Sequence, residues 1–194
     1  MDILEKSARM QQRAHEVIRE AGIIEAWESI GAEPNLIGSV RTGLIIKHRD
    51  IDFHIYSAPL TVSDSFAAMA RLADNPRISR LEYANGMETD ERCLEWHVRY
   101  LDRENEWWKF DMIHIEKGSR YDGHMERVSE RIEAALTPET RRAILQIKQD
   151  TPDEAYLPGI FYYVAVLRDG IRDYAGFTEW RKHQPLDVVI DWIP

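Results

Sequence analysis

The sequence contains a single cysteine and no long apolar segment. Cys93 has no second cysteine with which to form an internal disulfide, and no Cys/His set has zinc-finger spacing. Apolar runs such as residues 44–46 and 188–190 are far shorter than the roughly 20 residues that cross a bilayer. The first residues also lack the basic, apolar and small-residue order of a signal peptide. We therefore expect a soluble, cytoplasmic protein with no membrane partner.

Positive charge is also scarce. The 25 basic residues are outnumbered by 34 acidic ones, which gives a net charge of -9. Since affinity for a phosphate backbone comes from Lys and Arg, this balance predicts that no nucleic acid is a partner. A small cationic substrate, or an anionic substrate shielded by metal ions, remains compatible with the charge. Disorder is not expected, because 6 Trp, 8 Tyr and 5 Phe are enough to build a core.

Hydrophobic periodicity divides the chain into two parts without a Gly/Ser linker. Helical spacing up to Gly22 and over residues 23–30 is followed by a period-two strand around residues 50–56, a helix over 60–75, and strands over 78–84, 93–101 and 107–115. After Gly118 the pattern is helical, and Thr137-Pro138 is typical of a helix start. We predict an α+β (mixed α/β) fold, with residues 1–118 as the α/β domain and residues 119–194 as a helical part packed on it. Asp187 and Asp191 are expected in a short extended tail.

The last two predicted strands form a hairpin whose register follows from the sorting of polar and apolar residues. If residues 102–106 are the turn, Leu101 lies opposite Trp107, Arg99 opposite Lys109 and His97 opposite Asp111. One face of the hairpin is then polar and the other apolar. A slip by one residue would place the polar set in the core, so this register is favoured.

Three aspartates are candidates for a shared metal site. Asp50 and Asp52 are two residues apart on one strand, so their side chains point to the same face. Asp111 lies on the polar face of the hairpin. Adjacent carboxylates repel each other unless a cation lies between them, and Mg²⁺ prefers carboxylates, water and substrate phosphates as ligands. Glu95, on the same face as Asp111, is an alternative third ligand.

A Gly-Ser pair precedes these aspartates. Gly38-Ser39 follows the apolar pair Leu36-Ile37, and such a turn allows backbone N–H groups and a hydroxyl to approach a phosphate. The succession LIGS at 36–39, DIDF at 50–53 and FDM at 110–112 resembles the nucleotidyltransferase superfamily, which includes DNA polymerase beta and the antibiotic nucleotidyltransferases. The resemblance covers roughly residues 20–118.

This resemblance implies a twisted mixed sheet flanked by helices and the transfer of a nucleoside monophosphate from an NTP. It implies two Mg²⁺ ions held by Asp50, Asp52 and Asp111, with Asp111 at the attacking hydroxyl and able to act as its base. Ser39 is expected to contact phosphate, and Gly38 to permit the approach. Arg41 is the first choice for a cation beside the triphosphate, ahead of Lys47 and Arg49, although a solvated loop charge is an equal alternative.

The resemblance does not identify the acceptor, because residues 119–194 carry no motif of a known family. We expect ATP as the donor and a hydroxyl of a small molecule or protein as the acceptor. A catalytically silent module with the same fold, which binds a ligand or a partner, is the main alternative. A nucleic-acid polymerase is disfavoured by the charge balance.

Overall fold

The computed structural model describes residues 1–155, 157–184 and 192–194 of the 194-residue chain. The tail expected around Asp187 and Asp191 lies outside the described residues. The helices are α1 (Ile3–Ala21), α2 (Ile23–Glu28), α3 (Gly38–Thr42), α4 (Val62–Ala73), α5 (His124–Ala135), α6 (Pro138–Asp150), α7 (Gly159–Tyr163), which continues into a π-helical turn (Val164–Arg168), and α8 (Tyr174–Arg181). The strands are β1 (Glu33–Ile37), β2 (Asp50–Ser57), β3 (Ile78–Gly86), β4 (Cys93–Leu101) and β5 (Trp107–Glu116).

The five strands form one mixed sheet in the order β1-β2-β5-β4-β3. Strands β2 and β5 are parallel, and the other three pairs are antiparallel. The predicted hairpin register is confirmed, since His97 pairs with Asp111, Arg99 with Lys109 and Leu101 with Trp107. The predicted α+β class is confirmed as well, with helices flanking the sheet.

The apolar face of the sheet packs against α1, α2 and α4. Trp27 of α2, Phe53 of β2 and Phe110 of β5 are almost fully buried in this core. Alternation explains the burial, because Ile51, Phe53 and Ile55 point inward while the intervening residues of β2 are only partly buried. The opposite, polar face of the sheet is therefore left for other contacts.

In a second hydrophobic core, the segment that follows α3 packs against the helices α5, α6, α7 and α8. Leu44 and Ile46 are buried among side chains of these helices, including Ile144 and Phe177. Thr137 caps α6 by accepting a hydrogen bond from the Thr140 N–H, as its sequence predicts. The helical part thus packs beside the polar face of the sheet. In the described ranges, none of the helices combines the length and the apolar character that a bilayer crossing needs.

Candidate active site

The three predicted aspartates meet because β2 and β5 lie side by side. Asp52 pairs with Asp111 across the two parallel strands, and Asp50 precedes Asp52 by one full pleat on the same face. All three line one pocket of about 460 Å³ between the sheet and the helical part. Their role as metal ligands remains a prediction, but the fold brings their side chains to a common cavity.

Gly38 allows the chain to pass directly over one of these carboxylates. It follows β1, in which Ile37 pairs with Asp52. A Cβ atom at position 38 would lie 2.4 Å from Oδ2 of Asp52, closer than any real contact, and the φ angle of Gly38 is +69°. Only glycine adopts this conformation readily and fits this space. The close approach inferred for a Gly-Ser pair is therefore present, although its neighbour is a carboxylate.

The Gly38-Ser39 pair begins a helix instead of a simple turn. Residues Gly38–Thr42 form the five-residue helix α3, and Gly38 and Ser39 both line the pocket. The sequence predicted only a turn here, because five residues are too few for a helical period to be recognised. The helix keeps Ser39 beside the aspartates.

The electrostatics of the pocket favour a bound cation. Burial, followed by the charges of Asp111 and Asp50, raises the pKa of Asp52 to about 7. Burial and the charge of Asp111 also raise the pKa of Asp50. Desolvation and mutual repulsion both raise the free energy of the ionised carboxylates, and a metal ion between them offsets this rise. The oxygen-only donor set of the three aspartates fits Mg²⁺.

Asp111 already has two partners, a histidine and a lysine. Its Oδ1 accepts a short hydrogen bond from His97 Nδ1, and Lys109 Nζ lies 2.9 Å from the same oxygen. Within the described ranges, the His, Cys, Asp and Glu side chains form no preassembled group of three metal ligands. Asp111 would therefore have to exchange these partners for a metal ion. Glu95, the alternative ligand, has its carboxylate 4.0 Å from His97 Nε2 and lies outside the residues that line the pocket.

Lys148 of α6 is a site residue that the sequence analysis missed. It lines the pocket, and its ammonium group donates a hydrogen bond of 2.8 Å to the carbonyl of Leu44. Burial lowers its pKa to about 8, while the charges of Asp52 and Asp50 oppose that shift. A signal was available, because Lys148 follows the buried Ile144 and Ile147 at spacings of four and one and so lies beside the apolar stripe of α6.

Arg41 is not among the residues that line the pocket. Its guanidinium group pairs with two glutamates of α5, at 3.3 Å from Glu130 and 3.5 Å from Glu133. Arg41 is close to Gly38-Ser39 along the chain. On a helix, however, a residue two positions further on points to a different side. Its contact with a triphosphate therefore remains a prediction without geometric support.

Neither family models nor curated proteins match the sequence. Several solved structures resemble the fold. They include a cytoplasmic RNA terminal U-transferase (12% identity, 84% of this chain and 51% of that chain, TM-score 0.50) and the non-canonical poly(A) polymerase GLD-2 in complex with GLD-3 (8% identity, 100% of this chain and 68% of that chain, TM-score 0.55). A third is the Cid1 poly(U) polymerase with Mg and 3'-dATP, described as selective for UTP (15% identity, 82% of this chain and 49% of that chain, TM-score 0.53). The chain thus spans about half the length of the first and third of these proteins.

These similarities correct one expectation. The prediction that nucleic acid plays no part is wrong, since the proteins with this fold include RNA terminal transferases and a poly(A) polymerase. The error has a physical cause. A net charge of -9 is a sum over the whole chain, whereas a nucleic acid meets only the surface that it touches. Arg99 and Lys109 lie side by side on the polar face of the sheet, close to the aspartates.

Proposed function

The chain has the nucleotidyltransferase fold, and we propose that it transfers a nucleoside monophosphate from an NTP to a hydroxyl at the 3′ end of an RNA strand. The observation that carries the proposal is the convergence of Asp50, Asp52 and Asp111 on one pocket, beside a glycine that admits no side chain. The proteins of similar structure support RNA as the acceptor class.

The Mg²⁺ ligands would be Asp50, Asp52 and Asp111. The resemblance to the nucleotidyltransferase superfamily implies two such ions. When bound, Mg²⁺ supplies charge that neutralises the phosphates and lowers the pKa of the attacking hydroxyl. The raised pKa of Asp52 is consistent with this role, because a cation would displace its proton at neutral pH.

The other pocket residues would position the donor. Lys148 is a partly buried cation that lines the pocket, as Lys47 does, and it would neutralise the triphosphate. The Ser39 hydroxyl and the backbone at Gly38 would contact the phosphate oxygens. The volume of about 460 Å³ is within the range of small-molecule sites. ATP was the expected donor, but the UTP selectivity of one similar protein makes UTP an equal candidate.

The reaction needs one proton transfer. The acceptor oxygen forms a bond to the α-phosphorus, the bond from that phosphorus to the β-phosphate oxygen breaks, and pyrophosphate leaves. The carboxylate of Asp111 accepts the proton of the acceptor hydroxyl. His97 and Lys109 contact this carboxylate in the structure, and a metal ion at Asp111 would take their place.

Extension of a labelled RNA oligonucleotide by each of the four NTPs in the presence of MgCl₂ tests the proposal. We expect the wild type to add nucleotides from one preferred NTP and the Asp50→Asn/Asp52→Asn variant to add none. Asp74→Asn is the matched control, because Asp74 is an exposed residue at the end of α4. Transfer to a small-molecule hydroxyl but not to RNA would overturn the acceptor class. NTP binding without any transfer would support the catalytically silent alternative.

A further inference from the structure

We propose that a cationic surface beside the three aspartates holds the single strand of RNA that leads to the acceptor 3′ end. This inference rests on the proposed function and identifies the surface that binds the RNA acceptor. We call this surface the strand track and define it by Arg49, Arg80, Arg99, Trp107 and Lys109.

The strand track contains a second cavity that adjoins the active-site pocket. This cavity measures about 180 Å³. It is lined by His48, Arg49, Asp50, Arg99, Trp107, Trp108 and Lys109, and it shares His48 and Asp50 with the larger pocket. A ligand in the smaller cavity would therefore lie against Asp50, one of the three aspartates of the larger pocket.

Three cations of the track lie in one row across the sheet. Arg80 of β3 pairs with Arg99 of β4, which in turn pairs with Lys109 of β5. Neighbouring strands are about 4.8 Å apart, so these like charges repel one another. Carboxylates on the same strands compensate the two outer cations, because Arg80 pairs with Glu82 and Lys109 with Asp111. The central Arg99 has no such carboxylate, and a phosphodiester over the row would supply the missing negative charge.

Arg99 is the member of the row that is most available to a ligand. Arg80 pairs with Glu82 at 2.5 Å and Lys109 with Asp111 at 2.9 Å, whereas Arg99 is exposed. Outside the row, Arg49 pairs with Glu106 at 3.2 Å. In the part of the chain that the structure describes, Arg99 has neither an ion pair nor a hydrogen bond through its side chain. Its guanidinium group can therefore bind a phosphate without losing a protein partner.

Trp107 supplies the aromatic element that a single strand needs. Its side chain is 49% exposed although the residue is large and apolar, and it lines the smaller cavity. Unpaired bases stack on such surfaces, whereas a duplex keeps its bases inside. Exposed aromatic rings next to arginines are thus suited to a single strand.

The register also gives the strand a direction. Trp107, Lys109 and Asp111 alternate along β5 and face the same side of the sheet. The Cα atoms of Trp107 and Asp111 are about 13 Å apart, at roughly 3.3 Å per residue. A base stacked on Trp107 therefore belongs to a nucleotide upstream of the one whose hydroxyl lies at Asp111, with its phosphate over Lys109 and Arg99.

Fluorescence anisotropy of a labelled single-stranded RNA of about ten nucleotides tests this inference on the full chain. We expect Arg99→Ala to weaken binding about tenfold and to reduce the slope of log Kd against log salt by about 0.7, the value for one phosphate on a single strand. Trp107→Ala is expected to weaken binding about tenfold through lost stacking, and Trp107→Phe to retain most of it. Arg9→Ala is the matched control, because Arg9 is an exposed arginine on α1 that lines neither cavity.

The outcomes separate this inference from the proposed function. The strand track is overturned if RNA binds the wild type, Arg99→Ala and Trp107→Ala equally, or if a duplex of the same length binds more tightly than the single strand. Calorimetric binding of each Mg-NTP to the wild type is measured in parallel. A wild type that binds an NTP but no RNA overturns the strand track alone, whereas one that binds RNA in the expected way but no NTP supports the track and overturns nucleotidyl transfer.

Discussion

Gly38 lies so close to Asp52 that a Cβ atom at position 38 would be 2.4 Å from the Oδ2 atom of that carboxylate. Gly22 provides a comparison, because its φ angle of +75° is similar to the +69° of Gly38 but it has open space around it. The two glycines therefore separate the cost of an unusual backbone conformation from the cost of a steric clash.

We expect Gly38→Ala to abolish Mg-NTP binding and Gly22→Ala to leave it unchanged. Both variants should lower the free energy of unfolding by about 1–2 kcal/mol through the left-handed conformation, and Gly38→Ala should lower it further through the clash. Calorimetric titration and denaturant unfolding measure the two effects. Equal NTP binding by Gly38→Ala and the wild type would show that the approach to Asp52 has no part in the site.

Asp52→Asn should make the metal-free protein more stable above pH 7. The pKa of Asp52 is raised to about 7, so the folded protein retains a proton between about pH 4 and pH 7 that the unfolded chain has lost. Wild-type stability should therefore fall as the pH rises across this window, by an amount on the order of 4 kcal/mol. The variant lacks the titrating group and should show a flatter profile.

The same pair of proteins tests the metal. MgCl₂ should raise the Tm of the wild type more at pH 8 than at pH 6, because Asp52 must lose its proton to bind the ion. Asp52→Asn should show a much smaller shift at both pH values. Identical Mg²⁺ responses in the two proteins would remove Asp52 from the set of metal ligands.

Asp102→Asn should have the opposite effect on stability. Burial alone would raise the pKa of Asp102, but hydrogen bonds from the Glu106 N–H, Trp108 Nε1 and Arg13 outweigh it and lower the pKa. The ionised form is therefore favoured in the folded state, and its contribution is present above the ordinary pKa and is lost as the pH falls towards the lowered value. The variant should lose roughly 3 kcal/mol at neutral pH, measured by urea unfolding, with Mg-NTP binding retained in the folded fraction.

Lys148→Met should weaken Mg-NTP binding by about tenfold to a hundredfold, since a charge-assisted hydrogen bond contributes about 1.5–3 kcal/mol. In the wild type the affinity should fall as the pH rises above about 8, where Lys148 loses its charge. Lys182→Met is the matched control, because Lys182 is an exposed lysine that pairs with Glu179. An unchanged affinity in Lys148→Met would place the triphosphate elsewhere in the pocket.

Local alternation predicted the sheet well. The polar and apolar faces of β4 and β5 are sorted so strictly that only one register keeps the charges out of the core, and His97 does pair with Asp111. Alternation alone could not predict that Asp52 lies beside Asp111. This arrangement depends on the parallel pairing of β2 with β5, which the sequence did not predict.

Long-range contacts explain what the sequence did not show. Lys148 is 96 positions from Asp52 along the chain, and no local pattern relates a lysine of one helix to a distant strand. Arg41 failed to reach the pocket for the converse reason, because nearness in sequence does not determine the side of a helix on which a residue lies. The net charge led to the wrong prediction about nucleic acid for a similar reason. It is a sum over the chain and does not show that Arg80, Arg99 and Lys109 lie in one row.

The backbone at the end of α3 and just after it accepts hydrogen bonds from residues of α6, which the ribosome adds about 100 residues later. Arg141 donates to the carbonyls of Thr42 and Gly43, at 2.8 and 2.9 Å, and Lys148 donates to that of Leu44. During synthesis, the five strands can leave the ribosome and pair before α6 exists. The nascent sheet then carries its aspartates without Lys148 and without the helical side of the pocket. Under the proposed function, the order of translation therefore delays nucleotide binding until residues 138–150 have emerged and packed.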